Sequence, residues 1–147
     1  KYQVTTPSGY TISQNDSGDL YTCMQSASDE INIFAIENSN LDTEIANETQ
    51  TANGVTREIK IQEAVDLADG TQMQYYVVNN SEPNISYYTY IGLIQKDSAV
   101  IKFYVVSSAD SADYKSIYTE LANSTTVLTS ETDAPAEAEE QTETQPE

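Results

Sequence analysis

Apolar and polar residues alternate through most of this chain, and the repeat lengthens to that of a helix only near residues 41–52 and 111–123. Tyr2–Thr5 reads as extended, Pro7-Ser8-Gly9 as a turn, and Tyr10–Ser13 as a second extended piece. Asn15–Asp19 is a run of turn residues, followed by the extended stretch Leu20–Gln25. Glu30–Glu37 (EINIFAIE) places Ile31, Ile33 and Ala35 on one face and Phe34 and Ile36 on the other. Apolar residues on both faces mark an interior strand.

A helix is predicted next. Ser39 or Asn40 supplies the cap, and Asp42 and Glu44 suit the positive end of the helix dipole. Leu41 and Ile45 give it a thin apolar stripe, and Gly54 ends it. Long strands follow: Val55–Ala68, Thr71–Val78, Ile85–Gln95 and Val100–Ser107. Asp69-Gly70 is expected to form a type I′ hairpin turn. The turn near Lys96–Ala99 leaves two registers open: Tyr104 pairs with Ile91 if the loop has two residues, or with Gly92 if it has three. That one-residue difference swaps the faces of every side chain. The last helix, 111–123, is capped by Ser108 or Ser111 and aligns Tyr114, Ile117, Tyr118, Leu121 and Ala122 on one face.

These elements predict a single α+β domain over residues 1–130: a mostly antiparallel sheet of five or more strands flanked by two helices. From Ser130 onward, Pro, Glu, Ala, Thr and Gln alternate without period, and residues 131–147 are expected to be a disordered acidic tail. The order of elements, with Pro7-Ser8-Gly9-Tyr10, Ile31-Asn32-Ile33, Asp69-Gly70-Thr71, the strand pair 85–107 and helix 111–123, resembles the Mog1/PsbP-like family of bacterial secreted proteins and lipoproteins. Tyr10 stands where that family often carries Trp. The resemblance implies an α/β/α sandwich over about residues 2–128. It carries no functional residue, because the matching positions are turn and core residues.

Charge narrows the partners. Six basic residues face 24 acidic ones, for a net charge of −18. Seven of the acids lie in 131–147, and the remaining 17 against six bases leave residues 1–130 at −11. Phosphate backbones and anionic membrane surfaces attract Lys and Arg, so nucleic acid and membrane insertion are both excluded as expectations. No apolar run reaches the length of a membrane span. Abundant Ser, Thr, Asn and Tyr with scarce Lys point to an extracellular or cell-surface attached bacterial protein, here read as a mature or trimmed chain whose leader is excluded. The sequons at Asn15, Asn47, Asn79, Asn84 and Asn123 would matter only in a eukaryotic secretory host.

The chemistry is sparse. There is no His, so no Ser-His or Cys-His pair exists, and the single Cys23 sits among apolar neighbours as a small core side chain would. No phosphate-binding or dinucleotide-binding glycine pattern is present, and no cofactor is expected. Calcium is the one metal to weigh, on Asn15–Asp19 or Asp110–Asp113, but neither has the twelve-residue EF-hand pattern and no metal site is assigned. Eleven tyrosines stand against two Phe and no Trp. Tyrosine favours strands and covers a sheet with its ring while its hydroxyl stays wet, which is the simpler reading. The functional reading is an aromatic platform of Tyr76, Tyr88, Tyr90 and Tyr104, with Gly92 giving room beside it, for a protein, peptide or glycan. The expected function is therefore a non-catalytic extracytoplasmic binding or accessory domain. A carboxylate-dependent hydrolase and a structural spacer are the alternatives.

Overall fold

The computed structural model describes residues 2–5, 8–14, 21–25, 30–108 and 113–127. The expected tail, the Asn15–Asp19 cluster and most of the Asp110–Asp113 cluster lie outside the described residues. Among the described residues, nine strands and two helices run in the order β1 (Tyr2–Gln3), β2 (Thr11–Gln14), β3 (Tyr21–Gln25), β4 (Glu30–Ile36), α1 (Leu41–Thr49), β5 (Thr56–Asp66), β6 (Gln72–Glu82), β7 (Ile85–Lys96), β8 (Ala99–Ser107), α2 (Lys115–Ser124) and β9 (Thr126–Val127). Seven strands form one antiparallel sheet in the order β2-β3-β4-β8-β7-β6-β5. β1 pairs instead with β9.

β4 is interior, as its two apolar faces predict: it lies between β3 and β8. The chain leaves β4 through α1, reaches the far edge at β5, and meanders back through β6 and β7 until β8 closes against β4. α1 covers one face of the sheet, where Leu41 and Ile45 pack on Tyr76, Val78, Ile91, Leu93 and Val100. α2 covers the other, where Tyr114, Tyr118, Leu121 and Ala122 pack on Ile31, Ile33, Met73, Tyr75, Tyr90, Phe103 and their neighbours. The fold is an α/β/α sandwich.

Several local expectations change. α1 ends at Thr49 because Gln50 is extended (φ −91°, ψ 140°). Gly54 does not terminate it: Asn53 and Gly54 both have positive φ (55° and 83°), and Ala52 and Val55 exchange two backbone hydrogen bonds across them. That is the type I′ geometry expected at 69–70. At Asp69-Gly70 only Gly70 is left-handed (φ 89°). The Leu67 amide donates to the Thr71 carbonyl and Gly70 N–H to Leu67 O, so the loop has three residues. The Asp69 carboxylate instead accepts from the Thr71 amide and hydroxyl at 2.9 and 2.6 Å. α1 is capped by Asn40, whose side chain accepts from Thr43 N at 2.9 Å, while Ser39 donates to Glu44 at 2.7 Å. Ser108 does not cap α2: Tyr114 is at the cap position without a side-chain bond, and the Asp113 carboxylate accepts from Lys115 N at 2.9 Å.

Candidate functional site

The β7–β8 hairpin settles which tyrosines share a face. Lys96 pairs with Ala99, leaving the two-residue loop Asp97-Ser98, so Ile91 pairs with Tyr104 and Tyr76 pairs with Ile91. Tyr76, Ile91 and Tyr104 therefore form one row on the α1 face. Tyr88 and Tyr90 point to the α2 face by the same alternation.

The four platform candidates consequently do not form one surface. Tyr90 is fully buried, its ring 5.1 Å from that of Tyr114, and its carbonyl accepts from the Tyr118 hydroxyl at 2.7 Å. Tyr88 is half-buried against the same core. Tyr76 is buried beneath α1. Gly92 offers no room to a ligand, because Tyr118 fills the space above it: a Cβ there would meet Tyr118 Cδ2 at 2.9 Å and Met73 Sδ at 3.0 Å. Nor do the buried hydroxyls stay wet. Tyr75 accepts from Tyr114 N at 3.2 Å, and burial pushes its hydroxyl up to about 12. Burial also holds Tyr118 well above the usual tyrosine range.

Of the four candidates only Tyr104 remains half-exposed on the α1 face, and the structure gives it partners that sequence reasoning missed. α1 is short and covers the sheet only in part. Beyond its end, Tyr87, Thr89 and Ile85 of β7, Asn80 of β6, Arg57 of β5 and Tyr104 and Val106 of β8 occupy the same face. Ile85 and Val106 are exposed at 58% and 55%. Asn80 and Thr89 are buried beneath the larger side chains. Asn80 Nδ2 donates to Thr89 Oγ1 (3.1 Å) and Val78 O (3.2 Å), and Asn80 Oδ1 accepts from Arg57 Nε at 3.0 Å. Arg57 Nη1 donates to the Asn47 and Gln50 carbonyls (2.9 and 3.0 Å), which pins the carboxy-terminal end of α1. Its Nη2 makes no bond to the described residues. Because a rigid fork held at three points loses little freedom on binding, this guanidinium is preorganised.

Tyr104 and Tyr87 share its face of the sheet. Burial pushes the Tyr104 hydroxyl up to about 12, with Glu48 nearby adding to the shift. The Tyr87 hydroxyl donates to Glu82 at 2.8 Å, which raises it. Both phenols lie close enough to Arg57 to feel its charge. On the other side of Tyr104, Lys102 Nζ sits 5.2 Å from its ring and 5.1 Å from that of Phe34, and bonds Glu48 at 2.6 Å. The patch is thus two aromatic rings, a held cation and exposed aliphatic side chains. That combination suits stacking and hydrogen bonding to a ligand. Tyr87 could have been found from the pairing of Ile91 with Tyr104, which puts residues 87, 89 and 91 on the Tyr104 face. Arg57 carried one signal, being the sole Arg of the chain.

Two concavities lie elsewhere. One of about 440 Å³ runs between β5 and α2 and is lined by Glu63, Ala64, Val65, Lys115, Ser116 and Thr119. One of about 280 Å³ is lined by Ala68, Asp69, Lys96, Ala122, Asn123 and Thr125. Among the described residues no group of three or more His, Cys, Asp and Glu could hold a metal ion, and no helix is long and apolar enough to cross a membrane.

An antiparallel sheet with one helix on each face and the helices inserted before β5 and after β8 defines a PsbP-like fold. The solution structure of cyanobacterial PsbP (CyanoP) from Synechocystis sp. PCC 6803 is similar to it: the TM-score is 0.53, over 86% of each chain, at 14% sequence identity. No protein-family profile and no curated protein matches the chain. The likeness is one of fold.

Proposed function

We propose that this is a non-catalytic, extracytoplasmic binding or accessory domain that holds a protein, peptide or glycan on its α1 face, at Tyr87, Tyr104 and Arg57. The observation that carries the reading is the guanidinium held at three points on the same face as two half-buried phenols, beyond the end of α1. A buried polar network anchors it, and buried polar groups impose one geometry when all their bonds are made. The location rests on the Ser-, Thr-, Asn- and Tyr-rich composition and on the resemblance to secreted proteins.

The test is a comparison of wild-type and Tyr87→Ala chains on arrays of immobilised glycans and peptides. The expected result is a set of ligands bound by wild type, with affinity lowered about 5- to 30-fold in the variant, the range for truncating one interface tyrosine. The thermal midpoint should stay within a few degrees of wild type. Ligands retained at full affinity by the variant would move the site elsewhere, and an array with no wild-type ligand would overturn the binding function.

A further inference from the structure

We propose that the outer edge of β5, over residues 62–66, accepts an extended, net-positive segment of another protein as an added strand, seated in the groove beside α2. The inference is independent of the tyrosine patch.

Among the described residues β5 is the edge of the seven-stranded sheet, and half of its backbone groups have no strand there to bond. Two hydrogen bonds say which half. The Arg57 amide bonds Thr51 Oγ1 at 2.9 Å, away from β6, so at this end Arg57 and Ile59 face outward. The register slips by one residue between Ile59 and Ile61, which reverses the alternation. At the far end Leu67 N bonds Thr71 O, on the β6 side. Alternation back from Leu67 turns Val65 and Glu63 toward β6, and Gln62, Ala64 and Asp66 outward.

The two ends of the edge are treated differently. The first half is closed by the Thr51 hydroxyl and bent by the bulge at Lys60, both devices that discourage pairing. The second half has neither, and no Pro. Beside this open half lies the 440 Å³ groove, whose far wall is Lys115, Ser116 and Thr119 of α2. An edge strand and a helix with a groove between them is a geometry that receives extended peptides: the backbone supplies the bonds, and alternate side chains enter the groove. Ser116 and Thr119 leave that wall low.

Charge selects the occupant. Residues 62–66 carry two acids, Glu63 and Asp66, and no base, and the cation that lines the groove, Lys115, already bonds Glu63 at 2.7 Å. The whole chain carries −18. A second copy would bring this acidic edge against itself, whereas a segment with Lys or Arg at alternate positions is attracted.

The experiment titrates the full 147-residue, nitrogen-15-labelled chain with the synthetic octapeptide Lys-Val-Lys-Thr-Lys-Val-Lys-Thr and follows amide resonances. The expected result is shifts at Gln62, Ala64, Asp66, Ser116 and Thr119, with slowed hydrogen exchange at the three edge amides. The same peptide N-methylated at alternate residues keeps its charge and should still perturb the acids of 131–147. It should bind the edge about tenfold more weakly or worse, because two or three backbone bonds are lost. Ser116→Trp, which fills the groove from an exposed helix position, should abolish the edge shifts and leave the thermal midpoint unchanged. Equal edge binding by the N-methylated peptide, shifts confined to other regions, or edge protection that grows with protein concentration in the absence of peptide would each overturn the proposal, the last in favour of self-pairing.

Discussion

Gly92→Ala should destabilise the protein by about 1–2 kcal/mol, and the structure says why. Gly92 does not have a left-handed backbone, so nothing in its own conformation demands glycine. In an ordinary strand position, alanine gains about 0.4–1 kcal/mol by reducing the freedom of the unfolded chain. Here the added Cβ would lie 2.9 Å from Tyr118 Cδ2, 3.0 Å from Met73 Sδ and 3.3 Å from Phe103 Cδ2. All three neighbours are fully buried. The Tyr118 ring cannot swing away freely, because its hydroxyl is tied to Tyr90 O at 2.7 Å and its face lies 5.6 and 5.8 Å from the rings of Phe103 and Tyr114. Met73 is the flexible member and should yield first. Overpacking of this kind costs about 1–3 kcal/mol, which outweighs the entropic gain. Urea unfolding followed by circular dichroism gives the difference, with an unchanged denaturant slope as the sign that only stability moved. Met73→Ala should reduce the penalty of Gly92→Ala by at least about 0.5 kcal/mol, because one of the three contacts is gone. A variant as stable as wild type, or a penalty indifferent to Met73, would refute the packing argument.

Four further outcomes are expected. Tyr90→Ala, in the core, should cost about 3–5 kcal/mol in the same urea assay. Tyr87→Ala, three residues away on the other face, should cost about 1 kcal/mol or less; similar penalties would show that the faces have been misassigned. Asn40→Ala should cost about 1 kcal/mol by removing the α1 cap, and an unchanged midpoint would mean that helix packing alone holds α1 in place. Stability should also fall in alkali: Tyr75 and Tyr104 hold their protons to about pH 12 when folded, against about 10 for free tyrosine, so the unfolded chain releases protons first. That stabilisation is complete below about pH 10 and erodes as the pH rises toward 12. Tyrosinate absorbance rising in step with unfolding is the expected signature, and full ionisation near pH 10 in a folded chain would contradict it.

The sequence made some of this legible and hid the rest for identifiable reasons. β4 and α2 could be read because their patterns are long and self-contained: Ile31, Ile33 and Ala35 are buried on one face, and the stripe from Tyr114 to Ala122 packs as its spacing requires. The tyrosine patch could not, because its membership depends on register. Grouping Tyr76, Tyr88, Tyr90 and Tyr104 by strand joined residues that a one-residue choice at Asp97-Ser98 assigns to opposite faces. Arg57 is hidden by a second parity change, the bulge between Ile59 and Ile61, so its face cannot be counted from Val65. At the turns, Asn53-Gly54 carried the stronger type I′ signal, but it fell where a helix end was expected.

Under the proposed function the two faces of the sheet divide the labour between stability and binding, and tyrosine serves both. On the α2 face, Tyr75, Tyr90, Tyr114 and Tyr118 pack edge-to-face or stacked, and Gly92 exists to admit Tyr118. A ligand could reach that layer only by unpacking it. On the α1 face, a nine-residue helix with two apolar anchors leaves the row beyond it uncovered. The residue that pins the helix end, Arg57, is also the cation of the patch. A ligand drawing on Arg57 therefore acts on the same side chain that fixes α1, and binding there should stiffen the carboxy-terminal turn of the helix. The β5 edge touches both layers: Ile59 lies on the α1 side of the bulge, and Glu63 and Val65 on the α2 side. Its open half begins where the bulge reverses the strand, so the same irregularity that aims Arg57 at the tyrosine patch also turns Gln62, Ala64 and Asp66 outward.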